Sequence, residues 1–310
     1  MTELTIAIPS KGRLKEKSEA FFADCGFTLK QDGGDRGYRA TLKGLANVSV
    51  TLLSAREIAQ GLIDGAFHIG VTGEDLLHDL SETPGEDARV IKRLGFGYAD
   101  VVVAVPKAWL DVSTMADLAA AGALFRERHD RRMKVATKYM RLTRRFFAAQ
   151  SVGDYRLVYS AGATEAAPAS GSAELIVDIT TTGATLEANG LKVLDDGVML
   201  RSQASLCGSL FAPWNEETLA TLQSLLSSVD ARGKAGEVAL LQTSIDVPDA
   251  EIAGRALIRH GQRLIECPPG DIAAHAQGLT EAGYGPVSVL RPEQVFQKSS
   301  TLFENFVAKM

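Results

Sequence analysis

Asp178 and the run Thr180-Thr181-Thr182-Gly183 gather a carboxylate, three hydroxyls and a glycine into one short stretch. That composition suits an anion such as a phosphate. Hydroxyls and backbone N–H groups can converge on it, a helix starting at Ala184-Thr185 favours negative charge, and glycine lets the main chain come close. The acid before the loop can bond sugar hydroxyls or face a bound Mg²⁺. The same small residues also build ordinary βα turns, so composition alone leaves both readings open. A second cluster, Ser10-Lys11-Gly12-Arg13, sets two cations around a glycine and can face a polyphosphate or simply solvent. Arg13 is its stronger member, because a guanidinium forks onto phosphate or stacks on a base. Val71-Thr72-Gly73 is another small turn, and Lys138, Arg141, Arg144 and Arg145 form a third basic group. Arg36 and Arg39 lie in a polar turn, where arginines are more often solvated.

These residues need elements to hold them. Ala173–Ile179 reads as a buried strand that delivers Asp178 at its carboxyl end, and Ala184–Asn189 as a helix start. Leu4–Pro9 is a strand, followed by an amphipathic helix from Leu14 to Cys25. Ser54 and Glu57 form a capping box for a helix over Ala55–Ile63. Ala66–Leu77 reads strand, turn, helix; His68 within it is a partly buried structural histidine. Ala99–Pro106 is nearly all apolar, as in a strand buried on both faces. Asp111–Ala121 is expected to be helical, with Phe125–Arg132 a solvated charge run. Lys134–Thr137 is a strand that enters a helix through Lys138-Tyr139. Leu191–Leu200 and Gln203–Leu210 are strands. A helix from Asn215 to Val229, a polar linker at Asp230–Gly236 and a further α+β stretch complete the chain.

The composition bounds the class. The chain has 310 residues, 45% hydrophobic and 23% charged, with net charge −5. It is a globular composition of two or three domains. The charge gives no reason to expect nucleic acid or an anionic membrane as partner, so an anionic substrate must be met by local cations. Cys25, Cys207 and Cys267 are scattered, without metal-ligand spacing, and read as free thiols of a reducing cytosol. With no signal pattern at Met1–Arg13, a cytoplasmic location is expected.

Glu165, Gly171, Ala173, Ile176, Asp178, Ile179, Thr182, Gly183, Thr185 and Leu186 stand where the signature of the ATP phosphoribosyltransferases has them, and the sequence resembles that family. "PSKGRL", "GVTGEDL", "ATKY" with "LTRRFF", and "LRSQASL" also resemble its motifs. The resemblance covers residues 4–212. It implies an α/β fold with a two-lobed core like the type II periplasmic-binding-protein class. One lobe is expected from residues 1–98 and 186–215, the other from 99–185, with a small α+β region over 216–310. The implied reaction moves phosphoribosyl from phosphoribosyl pyrophosphate (PRPP) to N1 of ATP, the first step of histidine biosynthesis.

The resemblance also assigns residues. Asp178, Thr180, Thr181, Thr182, Gly183, Ala184 and Thr185 would bind PRPP. Lys11, Gly12, Arg13, Thr72, Gly73 and Lys138 would bind ATP. Asp178, Arg13 and Arg144 would act on the reacting groups. Glu165 could order the loop or act in the site, and ordering is the favoured reading. Mg²⁺ would be held mainly through substrate phosphates. A homo-oligomer is implied, and a short form of the family needs a separate regulatory subunit. A long form carries a C-terminal domain of βαββαβ order that binds histidine. Here Pro248–Arg259 reads as helix, which leaves Gly261–Gly270 too short for two strands, and Val295–Met310 reads as a last helix. A non-catalytic binding or regulatory protein of the same fold is the alternative.

Overall fold

The computed structural model describes residues 3–31, 38–243, 256–259 and 262–310; Arg36 and most of the expected helix at Pro248–Arg259 lie outside them. Three sheets organise the chain. The first has the order β2-β3-β4-β1-β5-β12-β6. Its strands are β1 (Leu4–Pro9), β2 (Thr28–Gln31), β3 (Arg39–Lys43), β4 (Val48–Leu53), β5 (Ile69–Gly73), β6 (Ala88–Arg93) and β12 (Ala204–Ser209). β4, β1 and β5 run parallel, with Pro9 opposite Leu53 and Ala7 opposite Gly70. Their carboxyl ends therefore share one edge and lead into α1 (Gly12–Asp24), α2 (Ala55–Ile63) and α3 (Glu74–Leu80). The Ser54–Glu57 capping box starts α2 as expected.

The second sheet has the order β11-β7-β10-β8-β9. It comprises β7 (Asp100–Pro106), β8 (Met133–Thr137), β9 (Tyr155–Tyr159), β10 (Leu175–Thr180) and β11 (Leu191–Leu200), with α4 (Met115–His129), α5 (Met140–Ala149) and α6 (Ala184–Ala188). β7 is buried along Val101–Val105, as its apolar run requires. Parallel β8, β9 and β10 end at a common edge. The chain crosses between sheets twice, after β6 and after β11. This is the two-lobed α/β core expected from the sequence.

Four expectations shift. β11 pairs with β7, so the return to the first sheet follows Leu200 instead of Leu186. The α4 helix begins at a Thr114–Asp117 capping box and runs through Phe125 to His129, taking in most of the charge run. The α7 helix (Glu216–Ala235) absorbs the supposed linker, since Val229 and Ala231 are buried and hold its last turns down. It packs Leu222, Leu225 and Leu226 into the first lobe's core, together with Phe306 of α9 (Thr301–Val307). Only the last part of the Val295–Met310 stretch is helical.

The third sheet has the order β14-β15-β13-β16, formed by β13 (Ala239–Thr243), β14 (Ala256–Arg259), β15 (Gln262–Cys267) and β16 (Val287–Leu290), with α8 (Ile272–Glu281). All its neighbours are antiparallel. Two strands do fit before α8, because residues 256–259 are strand, not helix, and turn back at once into β15. With β13 first and β16 last, this is the strand order of a split-βαβ unit.

Candidate active site between the lobes

β8 and β10 lie in register, Val177 beside Thr137, so Asp178 and Lys138 follow as neighbours where the strands end. Asp178 is half-buried. Burial pushes its carboxyl above the ordinary range. The Ile179 N–H at 2.8 Å, the Lys138 ammonium and the Thr164 hydroxyl pull it back, and the Glu165 charge adds to the rise. The site thus combines a partly desolvated acid, a cation and a second acid beyond.

The loop after Asp178 is open to solvent: Thr181, Thr182, Ala184 and Thr185 are exposed. Its shape is set by its own hydroxyls. Thr180 Oγ1 accepts the Gly183 N–H at 2.8 Å, and Thr182 Oγ1 accepts the Ala184 N–H at 3.4 Å. Gly183 has φ +77°, and a Cβ there would meet nothing within 4 Å, so glycine is required for its conformation, not for space. Thr181 donates to the Tyr98 carbonyl at 3.1 Å. Tyr98 belongs to the first crossover, which also touches α1: Lys17 Nζ lies 5.7 Å from the Phe96 ring centre. A Cβ at Gly97 would stand 3.3 Å from Leu14. The crossover therefore contacts both the Thr180–Gly183 loop and the start of α1.

Lys11, Gly12 and Arg13 are exposed at that start, and neither cation has a hydrogen bond or ion pair among the described residues. Gly12 adopts φ +69°. Thr72 stands differently. It is fully buried and its hydroxyl donates to the Ala55 carbonyl at 2.7 Å, so it ties β5 to α2 and has no free hydroxyl to offer. Gly73 is glycine because a Cβ there would collide with the Asp75 carboxylate.

The helix α5 separates its arginines by role. Arg141 and Arg145 bond the Leu80, Ser81 and His78 carbonyls at the end of α3. Arg144 is exposed and unpaired among the described residues. From the other side, Asp79 accepts the backbone N–H groups of Arg141 and Leu142 at 3.0 and 3.2 Å, capping α5 from the opposite lobe. Asp75 takes the Tyr139 hydroxyl at 2.7 Å and the Ser202 hydroxyl at 2.8 Å. This seam was not anticipated from the sequence. Its trace there is the i, i+4 spacing of Asp75 with Asp79 and of Arg141 with Arg145, which puts each pair on one helix face.

His68 is structural, as expected. It is buried, its Nδ1 lies 2.7 Å from Thr5 Oγ1, and its ring meets Trp214 edge-on at 4.7 Å. No group of three or more His, Cys, Asp or Glu among the described residues could hold a metal alone. No helix among them is long and apolar enough to cross a membrane.

Known proteins match this architecture. The sequence model of the ATP phosphoribosyltransferase family matches residues 54–228. An ATP phosphoribosyltransferase of Caulobacter vibrioides is 51% identical, covering 98% of this chain and 97% of that protein. One from Bradyrhizobium diazoefficiens is 50% identical over the same shares of both chains. Among solved structures, the ATP phosphoribosyl transferase (HisG:HisZ) complex from Thermotoga maritima aligns with TM-score 0.55 at 22% identity, covering 73% of this chain and 98% of that one.

Proposed function

The chain belongs to the ATP phosphoribosyltransferase family, and from that premise we propose how its residues divide the reaction. The activity is transfer of phosphoribosyl from PRPP to N1 of ATP, giving phosphoribosyl-ATP and pyrophosphate. The N1–C1′ bond forms as the C1′–O bond to pyrophosphate breaks on the opposite side, with positive charge building on the ribose ring as in glycoside chemistry. The enzyme's task is then to hold two polyanions in line and to stabilise the one that leaves.

In this reading the Thr180–Thr185 turn grips the 5′-phosphate and Asp178 accepts the ribose hydroxyls. The observation that carries it is the solvent-open, hydroxyl-braced loop immediately after a half-buried acid that feels the charge of Lys138. Lys11, Gly12 and Arg13 receive ATP from the first lobe. Thr72 and Gly73 serve by shaping the neighbouring turn. Lys138 and Arg144 offset charge on the leaving pyrophosphate.

The donors present suit Mg²⁺: Asp178 and Glu165 offer carboxylate oxygens, with Glu165 close enough for its charge to act on Asp178. Two such groups with substrate phosphates completing the shell match that ion's habit. When bound, it would neutralise phosphate charge. The test is pyrophosphate release from ATP, PRPP and Mg²⁺ by the purified chain, compared with its Asp178→Asn variant. Equal release by the two would refute the loop assignment.

The third sheet supports reading residues 236–310 as the histidine-binding region of the long form, since its strand order fits a βαββαβ unit. The chain then works, most simply as a homo-oligomer, without a separate regulatory subunit. Activity of the chain alone, reduced by histidine, is the expected result. Activity only after adding a second subunit would contradict it.

A further inference from the structure

A cavity of about 260 Å³ lies between α3, β6 and α9, lined on α3 by Glu74, Leu77 and His78. Those residues form a different face of the helix from Asp75 and Asp79, which serve the lobe seam. Leu77, Ile91, Leu302 and Phe306 give it apolar walls, and Arg89 and Lys309 bring two positive charges. The acid in the wall does not balance them. Both Glu74 oxygens are taken by Arg93, at 2.8 and 2.9 Å, and Oε1 also accepts the Ser205 hydroxyl at 2.9 Å.

Arg89 Nε is buried with no hydrogen-bond partner, the one such side-chain nitrogen or oxygen among the described residues. Nε itself is sealed from solvent and out of a ligand's reach. The terminal nitrogens of Arg89 are not sealed and make no hydrogen bond or ion pair among the described residues, so they are the groups that an anion entering the cavity would meet.

We propose that this cavity is a second ligand site, separate from the inter-lobe site, for a small molecule with one carboxylate and a compact apolar body. The carboxylate would sit on Arg89 and Lys309, where a charge-assisted bond to guanidinium is strongest. The apolar body would lie against Leu77, Ile91, Leu302 and Phe306. Such a ligand would press on α3, the helix that carries Asp75 and Asp79 to α5, without meeting the Thr180–Gly183 loop.

Calorimetric titration of benzoate into the full-length protein tests this, with inorganic phosphate as the comparison anion. The expected result is saturable one-site binding of benzoate, tighter than phosphate and not displaced by saturating PRPP. Arg89→Gln and Lys309→Glu should each weaken it by about tenfold or more, while Thr182→Val leaves it unaltered. Lys309 is exposed near the chain end, so its variant decides the matter if Arg89→Gln fails to fold. Absence of saturable benzoate binding, equal affinity in the charge variants, or displacement by PRPP would overturn the proposal.

Discussion

The Tyr139 hydroxyl lies 2.7 Å from Asp75 Oδ2, joining the first turn of α5 to the first turn of α3 across the two lobes. Both side chains are buried, and that burial, with the neighbouring carboxylate adding to it, pushes the phenol pKa far up, so it stays a donor. Ser202 accepts the Asp75 N–H at 3.0 Å and donates to its other carboxylate oxygen. Because Ser202 lies in the second crossover, between β11 and β12, this one carboxylate gathers the pieces that fix how the lobes meet.

Replacing Tyr139 by Phe keeps the ring and removes the bond. A hydrogen bond to a charged partner contributes about 1.5–3 kcal/mol, and Asp75 would retain only Ser202. Urea unfolding should show a loss of that order. The KM for one or both substrates should rise as well, since the lobes would be less well placed. An unchanged midpoint with unchanged KM would show that the contact sets nothing.

Thr182 and Asp178 offer a cleaner division between function and stability. Thr182 is exposed, so Thr182→Val should alter stability by less than about 0.5 kcal/mol while lowering kcat/KM for PRPP by about a hundredfold. Asp178→Asn should lose activity as well. In the unmodified protein the acid limb of the PRPP profile should lie above pH 3.8, the ordinary aspartate value, because burial raises the Asp178 pKa and protonation then begins at higher pH. A limb that persists unchanged in Asp178→Asn would assign it to another group.

The arginines of α5 make opposite predictions though they are sequence neighbours. Arg144→Ala removes an unpaired, exposed cation and should lower kcat/KM by about ten- to a hundredfold without shifting the unfolding midpoint. Arg145→Ala frees the Ser81 and His78 carbonyls at the lobe seam and should lower the midpoint. Thermal unfolding and steady-state kinetics on the two variants settle which is which. If Arg145→Ala proves the more inactive at full stability, the assignment is reversed.

That contrast marks where the sequence stops being legible. Local rules worked for Ser54–Glu57, for the buried β7 and for the strand that delivers Asp178, because each is decided by neighbours in the chain. They could not choose among Arg141, Arg144 and Arg145, whose roles depend on α3, some 60 residues earlier. They gave Thr72 a ligand role because its motif looks like an anion turn, whereas its hydroxyl is spent on Ala55. The polar look of Asp230–Gly236 hid a helix end held down by packing against the first lobe. In the tail, a helical pattern over Pro248–Arg259 concealed β14, whose state is fixed by pairing with β15.

Two histidines give a pH signature distinct from the carboxylates. Burial lowers the pKa of both His68 and His78 below the ordinary 6.5, with Arg145 adding to the effect at His78. A base with a depressed folded-state pKa contributes stability above its unfolded pKa and loses it as pH falls through the folded value. Thermal midpoints should therefore decline as pH drops below 6.5. Glu57, Asp117, Glu174 and Glu187, all held below their ordinary values, act only at lower pH. His68→Asn should be less stable at neutral pH yet show a flatter decline. An identical slope would remove His68 from the account.

Phe306 ties the end of the chain to the catalytic core. It is 4% exposed and meets Trp214 edge-on at 5.7 Å. Its ring also fills the space in front of Gly208 on β12, where a Cβ would stand 2.5 Å away. Trp214 in turn packs on His68, so the contact runs from α9 through the first lobe to β1. Truncating a buried Phe to Ala costs about 3–5 kcal/mol, and Phe306→Ala should lower the denaturant midpoint accordingly. Deleting residues 301–310 should do so at least as strongly, although the Thr180–Gly183 loop is untouched. Were the deletion variant as stable as the whole chain, α9 would be an appendage, and the cavity it lines would have no fixed wall.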